Sequence, residues 1–345
     1  MSPYDGDIIE AMGAPFMDAI REDRTTLLVN DSLRSLVFVV LAAFTLWLYS
    51  TKKFKQTLTV AVLTALVVFD LVGVDRRYVN SEDFVNRRVM EQPFQKTAAT
   101  LQLEKETGRY RVYDAANNAF NSAEVSYTNS SIGGYHAAKP RRMQQLFDYQ
   151  IAKNNVRVLN MLNVKYVIQS DENGQKLALV NPAANGNAWF VEEVITVKSA
   201  DEEMKSLDNL DSKNVAIYGG YNENASSVST ASIWGGYKKD SLATIKLDLH
   251  SPNHLKYTSD NANDGLAVFS EMYYSKGWKA AIDGQEAPIF NVNYVLRGLQ
   301  TPAGKHTIEF KFEPEVVKTG GTIALISTIL MVLLVGLGLY FQKKS

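Results

Sequence analysis

The residues best suited to chemistry lie in one dense polar loop, Asn129-Ser130-Ser131-Ile132-Gly133-Gly134-Tyr135-His136-Ala137-Ala138-Lys139-Pro140-Arg141-Arg142. Glycine lets a backbone come close to a ligand. A tyrosine can stack on a sugar ring, and lysine and arginine pair with phosphate. Ser131, Gly134, Tyr135, His136, Lys139, Arg141 and Arg142 are therefore the candidate substrate-binding residues. The competing reading is a solvated loop leading into a helix whose basic residues touch lipid headgroups.

Two further places could carry chemistry. Asp70 lies inside an otherwise apolar run, where an ionisable side chain is a functional candidate by default. It sits one turn from the end of that run, so a carboxylate reaching interfacial water is the alternative. The aromatic and polar residues Tyr273, Tyr274, Trp278, Asn293, Tyr294 and Arg297 could line a carbohydrate-binding face, with Trp278, Asn293 and Arg297 as its candidate contacts. Aromatics at this spacing also read as the core of a β-sandwich.

Other chemistries find no support. The four histidines, at positions 136, 250, 254 and 306, form no HExxH helix, and Pro252 separates His250 from His254. No Walker loop or GxSxG elbow is present. The chain has no cysteine, so disulfides, thiolate catalysis and cysteine metal sites are excluded. A formal net charge of -1 offers no basic surface for nucleic acid. The sequence predicts no cofactor and no metal.

The elements that hold these residues follow from the apolar pattern. Three long apolar runs, Leu36 to Tyr49, Leu58 to Val74 and Thr322 to Phe341, stand near the two ends of the chain. A helix needs about 20 residues to cross the hydrocarbon core, and the first run completes its span by borrowing Leu33 to Ser35. The short loop between the first two runs carries Lys52, Lys53 and Lys55, and the chain ends with Lys343 and Lys344. Basic residues in short loops stay in the cytoplasm. Both clusters then lie on one side, and the large middle block faces out.

Met1 to Asn30 is acidic and lacks the pattern of a signal peptide. Its spacing of Ile8, Ile9, Met12, Phe16, Met17 and Ile20 predicts an amphipathic helix against the membrane or against further helices of a longer protein. In the middle block, residues 76 to 107 read as polar helix and Tyr110 to Tyr113 as a strand. A helix is expected from Arg141 to Met161, and a strand from Leu162 to Ile168 ends in a turn at Glu172-Asn173-Gly174. Beyond Trp189 short alternating strands recur. These include Ala243 to Leu249, a hairpin turning on Asp283-Gly284, and the alternation of Ile308, Phe310 and Phe312.

The fold class expected is thus three transmembrane helices with a large extracytoplasmic α+β domain, a small α/β subdomain followed by an antiparallel β-sandwich. The expected boundaries are an extracytoplasmic amphipathic segment at 1–32, spans at 33–50 and 57–75 joined by a cytoplasmic loop at 51–56, and the α/β subdomain at 76–189. The sandwich follows at 190–318, then a span at 319–341 and a cytoplasmic tail at 342–345.

Several segments also carry a family resemblance. Glu271 to Gly284, Asn293 to Leu299 and Pro302 to Ile308 resemble the C-terminal region of bacterial YfhO-family membrane proteins, particularly of Bacteroides-like bacteria. Ser131 to His136, Leu159 to Ile168 and Arg24 to Ser35 are similar to further segments of that family. The family is similar to GT-C glycosyltransferases. The resemblance implies transfer of a sugar from a polyprenyl-phosphate carrier onto an acceptor, often a cell-envelope glycopolymer, outside the cytoplasmic membrane of a bacterium. Its catalytic acidic residue is expected in a first outward loop that this sequence does not contain, so no residue here is assigned as catalytic. The implied partners are the bilayer, the lipid-linked sugar, the glycopolymer and further N-terminal membrane helices. The alternative is a non-enzymatic, membrane-anchored module that binds glycan or protein.

Overall fold

The computed structural model describes residues 13–117, 119–120, 122–135, 138–222, 236–238 and 240–344. Two compact units divide the chain at Pro93. The first holds α1 (Ala14–Ser50), α2 (Gln56–Asp75) and the short α3 (Arg87–Glu91). Pro15 opens α1 just after Gly13, whose positive φ of 83° sets the turn into the helix. No proline or glycine follows until the helix ends, so α1 runs 37 residues without a break. That is roughly 55 Å at 1.5 Å per residue. The described part of the amphipathic segment and the first span are therefore one continuous helix. Residues 1–12, with Ile8, Ile9 and Met12, lie outside the described residues.

Residues 76 to 107 are far less helical than their composition predicts. Only α3 and α4 (Ala98–Leu103) form, each fixed at its start by a side chain. The Asn86 side chain accepts the Arg88 amide, and Thr97 and Thr100 form a reciprocal capping box. Polar sequence without an apolar stripe gives the remaining residues nothing to pack a helix against.

The second unit continues through β1 (Arg111–Asp114), α5 (Glu124–Thr128), α6 (Arg141–Tyr149), α7 (Val156–Met161), β2 (Val164–Ser170) and β3 (Lys176–Val180). These strands make a three-stranded sheet, order β1-β2-β3, with β1 and β2 parallel and β2 and β3 antiparallel. The helix expected from Arg141 to Met161 is broken into α6, a single 3₁₀ turn at Ile151–Lys153 and α7. Asparagine and glutamine explain the breaks. The buried Gln150 side chain donates to Met204 O and Asp208 Oδ1, both at 2.8 Å. Asn154 adopts the left-handed region (φ 61°), and Asn155 caps α7 by accepting the Arg157 amide.

Two larger sheets follow. β4 (Ala188–Val191), β5 (Glu193–Val197), α8 (Ala200–Ser206), β6 (Val215–Gly219), β7 (Thr244–Ser251), β8 (His254–Asn261) and β9 (Gly265–Met272) come first. β10 (Trp278–Ile282), β11 (Gln285–Ala287), β12 (Phe290–Val292), β13 (Leu296–Thr301) and β14 (Gly304–Phe312) complete them, and α9 (Glu315–Lys344) ends the chain. One sheet has the order β4-β9-β13-β12-β6-β5, the other β11-β10-β14-β8-β7. The Asp283-Gly284 hairpin forms as its sequence predicts, with φ of 50° and 83° at the two central residues. In β7 the expected alternation fails after Leu247, where a register shift turns Leu249 outward.

The two sheets face each other across a core of Leu255, Tyr257, Phe269, Leu299, Ile308 and Phe310. This is the expected sandwich, with one parallel pair, β5 and β6, crossed over by α8. The six-stranded sheet is covered on its other side as well. There Trp189, Val191, Leu266, Val268 and Phe290 pack with Leu146, Ile151 and Met161 of the helical layer. A strand buried on both faces reads as a continuous apolar run, which is the pattern of Leu266-Ala267-Val268-Phe269 in β9. The segments on either side of residue 190 thus share one core, and β4 lies astride that position.

Among the described residues, three helices are long and apolar enough to cross a membrane: Pro15–Ser50, Gln56–Asp75 and Glu315–Gln342.

Candidate functional site

The Ser131 loop is built onto the edge of the three-stranded sheet. Ser131 bridges Val112 of β1 in parallel register, and the Val112 amide donates to Ser130 O at 2.8 Å. Gly133 is forced by contact, since a Cβ there would stand 2.0 Å from Ala119 O. Gly134 follows at φ 117° and donates its amide to the same carbonyl. The loop therefore has a defined course as far as Tyr135, which is 77% exposed and free to meet a ligand. His136 lies outside the described residues.

The basic residues of this loop separate. Lys139 turns back, with Nζ 3.3 Å from Phe120 O and 4.2 Å from the Phe120 ring centroid. Arg141 is exposed on the first turn of α6. Arg142 enters the interior, where its Nη2 lies 2.5 Å from Glu203 Oε2. The Glu203 side chain is 0% exposed and also accepts the Tyr294 amide at 2.9 Å and the Tyr221 hydroxyl at 2.5 Å. Burial first, and Glu203 second, push the Tyr221 phenol up to about 12. The Arg142 guanidinium also stacks 4.0 Å from the Tyr294 ring centroid. A phosphate-binding role for Arg142 would require giving up these contacts, so it fastens α6 to the six-stranded sheet.

The expected carbohydrate face does not assemble as one surface. Asn293 is 0% exposed and exchanges hydrogen bonds with Ile217, through its amide and through Oδ1. It occupies the β12–β13 turn with Tyr294, both at positive φ (50° and 72°). Arg297 is 3% exposed, donates from Nε to Met272 O at 2.9 Å, and lies 4.0 Å from the Trp278 ring centroid. Burial lowers its pKa to about 10, against the opposing pull of Glu271 and Tyr257. Trp278 meets Arg297 on its ring and Phe312 alongside it at 5.3 Å. Asn293 and Arg297 are core residues, because an arginine with aromatic faces around it and a hydrogen-bonded turn can be buried without an exposed partner.

Asp70 is paired within the first unit. Its Oδ1 lies 3.2 Å from Arg34 Nη2 of α1, and Arg34 also approaches Asp31 at 3.5 Å. Asp31 in turn accepts from Arg77 at 3.3 Å. The ion pair joins the two helices of the hairpin, a recurring arrangement for a charge in a span. The sequence singled out Asp70 and passed over its partner.

Two cavities lie in the second unit near these elements. One, of about 200 Å³, is bounded by Arg111, Ser131, Gly133, Pro140, Met143 and Ser270. Arg111 is committed to the protein, donating to Leu162 O at 2.9 Å, to Ser270 O, and to Glu271 Oε2 at 3.3 Å. The larger, of about 360 Å³, has Trp189, Glu192, Lys213, Tyr237, Asp240 and Asn261 among its walls. Backbone amides of Ala262 and Leu242 hold the Asp240 carboxyl below its ordinary range. Amide, carboxylate, ammonium and aromatic groups around one cleft are the set that binds a polyhydroxylated ligand. The sequence does not single out this cleft. Its walls come from positions 185 to 265, and only the turn-rich Asn261-Ala262-Asn263-Asp264-Gly265 carried a local signal.

Glu203, Glu271 and Asp70 are each held by an arginine. In the larger cleft Asp240 and Asp264 accept backbone amides, Asp264 that of Ala303 at 2.7 Å. Among the described residues no three histidine, aspartate or glutamate side chains converge as a metal site would require. A family model described as bacterial membrane protein YfhO matches residues 236–324, from the rim of the larger cleft to the first turns of α9. No curated protein and no solved structure matches the chain.

Proposed function

We propose that this YfhO-type membrane chain is the outward-facing, ligand-binding part of a GT-C-like glycosyltransferase. In this reading the enzyme takes a sugar from a polyprenyl-phosphate carrier for cell-envelope glycosylation. The observation that carries the reading is the family match over β7 to β14 and the beginning of α9, which spans the five-stranded sheet and its join to a span. Lys52, Lys53 and Lys55 on one side of the hairpin, with Lys343 and Lys344 at the chain end, support a cytoplasmic position for both basic clusters. The sheets then face the periplasm or exterior of a bacterial cytoplasmic membrane.

The division of labour follows from the carboxylates. Inverting transfer needs a base to take the acceptor hydroxyl proton while polyprenyl phosphate leaves. Glu203 and Glu271 are held by arginines, and Asp240 and Asp264 accept backbone amides. We therefore assign binding to this chain and the proton-abstracting step to residues outside it. Ser131, Tyr135, Lys139 and Arg141 remain the proposed carrier contacts, Gly134 shaping the loop with its amide bonded to Ala119 O, and the larger cleft is the proposed acceptor site.

The test uses the purified chain in nanodiscs. It should bind an envelope glycopolymer, weaken at least tenfold in Kd on Tyr237→Ala or Lys213→Ala, and leave a polyprenyl-phosphate sugar intact. A longer protein with further N-terminal spans should release polyprenyl phosphate. Turnover by this chain alone would refute the division of labour. Glycopolymer binding with no turnover by any longer form would favour a non-enzymatic binding module.

A further inference from the structure

The end of the sandwich from which α9 leaves is unusually closed. β14 stops at Phe312 and α9 starts at Glu315, so only Glu313 and Pro314 lie between sheet and span. Phe312 and Glu313 are both clasped by turns of the sandwich. The Phe312 amide donates to Asn253 O of the β7–β8 turn at 2.9 Å. The Glu313 amide donates to Gly277 O of the β9–β10 turn at 2.7 Å. Gly277 is required there, since a Cβ would stand 2.8 Å from the Phe312 ring, and its φ is 115°.

These contacts set the height of the β9–β10 turn above the bilayer. From Glu315 to Thr322, before the continuous apolar run of α9, there are about eight residues, or roughly 12 Å of helix. One headgroup layer takes up about 5–8 Å of that, and the remaining few ångströms are within reach of a long side chain. The turn carries such side chains: Tyr274 is 52% exposed, and Ser275 and Lys276 beside it are also exposed. A cleft of about 170 Å³ bounded by Tyr273, Tyr274, Trp278, Lys279 and Glu286 opens next to them. Amphipathic tyrosine with flanking lysine is the composition favoured at the headgroup level.

We infer that Tyr274 and Lys276 seat the sandwich on phospholipid headgroups, the phosphate meeting Lys276 and the tyrosine ring lying among the headgroups. This contact is independent of any sugar or acceptor. It requires only that α9 crosses the bilayer, so it stands or falls apart from the proposed enzymology.

The absence of native cysteine allows a direct depth measurement on the full chain. A fluorophore on Tyr274→Cys, in nanodiscs, is compared with one on Lys305→Cys at the opposite end of β14. Lys305 is exposed and seven residues from Phe312, or roughly 24 Å along the strand. A quencher attached to the lipid headgroup should quench the Tyr274→Cys probe about threefold or more above the Lys305→Cys probe. A quencher near the acyl-chain end should act weakly on both. Ser275→Cys, also exposed, gives the same reading should Tyr274→Cys fold poorly. Equal headgroup quenching at both ends, or stronger acyl-chain quenching at Tyr274→Cys, would overturn the inference.

Discussion

Arg142 and Glu203 are 61 residues apart in sequence, yet their side chains meet at 2.5 Å with the carboxylate wholly out of solvent. This pair joins α6 to α8, and through the Tyr294 amide on Glu203 Oε1 it reaches the β12–β13 turn. Removing Arg142 strands a buried charge. Arg142→Met should destabilise the second unit by about 3 kcal/mol, the low end for a buried pair because Arg142 keeps 28% exposure. Glu203→Gln should cost less, since an amide oxygen can still accept from Tyr294. Denaturant midpoints of the two single variants and the double variant check this, and additive losses would show that the pair is not coupled.

The Arg34–Asp70 pair yields a second prediction. Arg34→Ala leaves Asp70 without its arginine, at about 3 kcal/mol for a charge at mid-span and less near the interface. Asp70→Ala should cost less, because Arg34 keeps Asp31 at 3.5 Å. The reversed pair, Arg34→Asp with Asp70→Arg, should recover the loss only together with Asp31→Asn, because Asp31 faces position 34 one turn away. Thermal stability in detergent and cross-linking between the two helices report it. A reversal carrying Asp31→Asn that is no better than Arg34→Ala would indicate that Asp70 acts on something other than Arg34.

A third prediction concerns pH. His306 Nδ1 of β14 lies 2.6 Å from Oδ2 of Asp283 in the β10–β11 turn. The Asp283 hydrogen bond raises the imidazole above its ordinary value, with help from Ala303 O. The same bond, together with the Thr307 amide, lowers the Asp283 carboxyl. The histidine contribution to stability is fully present below its unfolded value, about 6.5, and is lost as pH rises through the raised folded value. The aspartate contribution is present above about 3.9 and is lost as pH falls through its lowered value. The pair therefore supports folding most between about pH 4 and 6.5. Asp283→Asn should lower the thermal midpoint more at about pH 5.5 than at about pH 9, and an equal loss at both would remove the ionic part of the interaction.

Gly133 gives the fourth. An alanine Cβ would overlap the Ala119 carbonyl oxygen, which is backbone and cannot swing aside. Gly133→Ala should destabilise by more than about 2 kcal/mol or shift the loop from Ser131 to Arg142. Gly108→Ala, where a Cβ would meet open space but φ is 92°, should show only the smaller backbone strain.

The elements that read correctly from sequence are those specified by near neighbours. The Asp283-Gly284 hairpin needs only two residues with positive φ, and β14 needs only the alternation of Ile308, Phe310 and Phe312. The spans need only length and apolarity. What could not be read depends on distant partners. Nothing near Arg111 announces that it lies parallel to Val164, and nothing near β4 announces its pairing with β9. The same holds for the site residues. Arg142 looked like a phosphate ligand because its carboxylate partner comes from a different helix. Arg297 looked like a surface contact because the Trp278 and Phe310 rings that cover it come from other strands.

The clasped join between β14 and α9 has a mechanical consequence. A sheet bolted to a span without a pliable spacer works as a lever. The nine residues of β14 extend roughly 30 Å from the bilayer end to the Gly304 turn. Rocking α9 by about 10° would sweep that far tip sideways by about 5 Å, carrying with it the larger cleft, whose Asn261 wall pairs with Gly304. Any tilt of α9 that the join transmits would thus be largest at the Asn261 wall of the cleft, at the far end of β14.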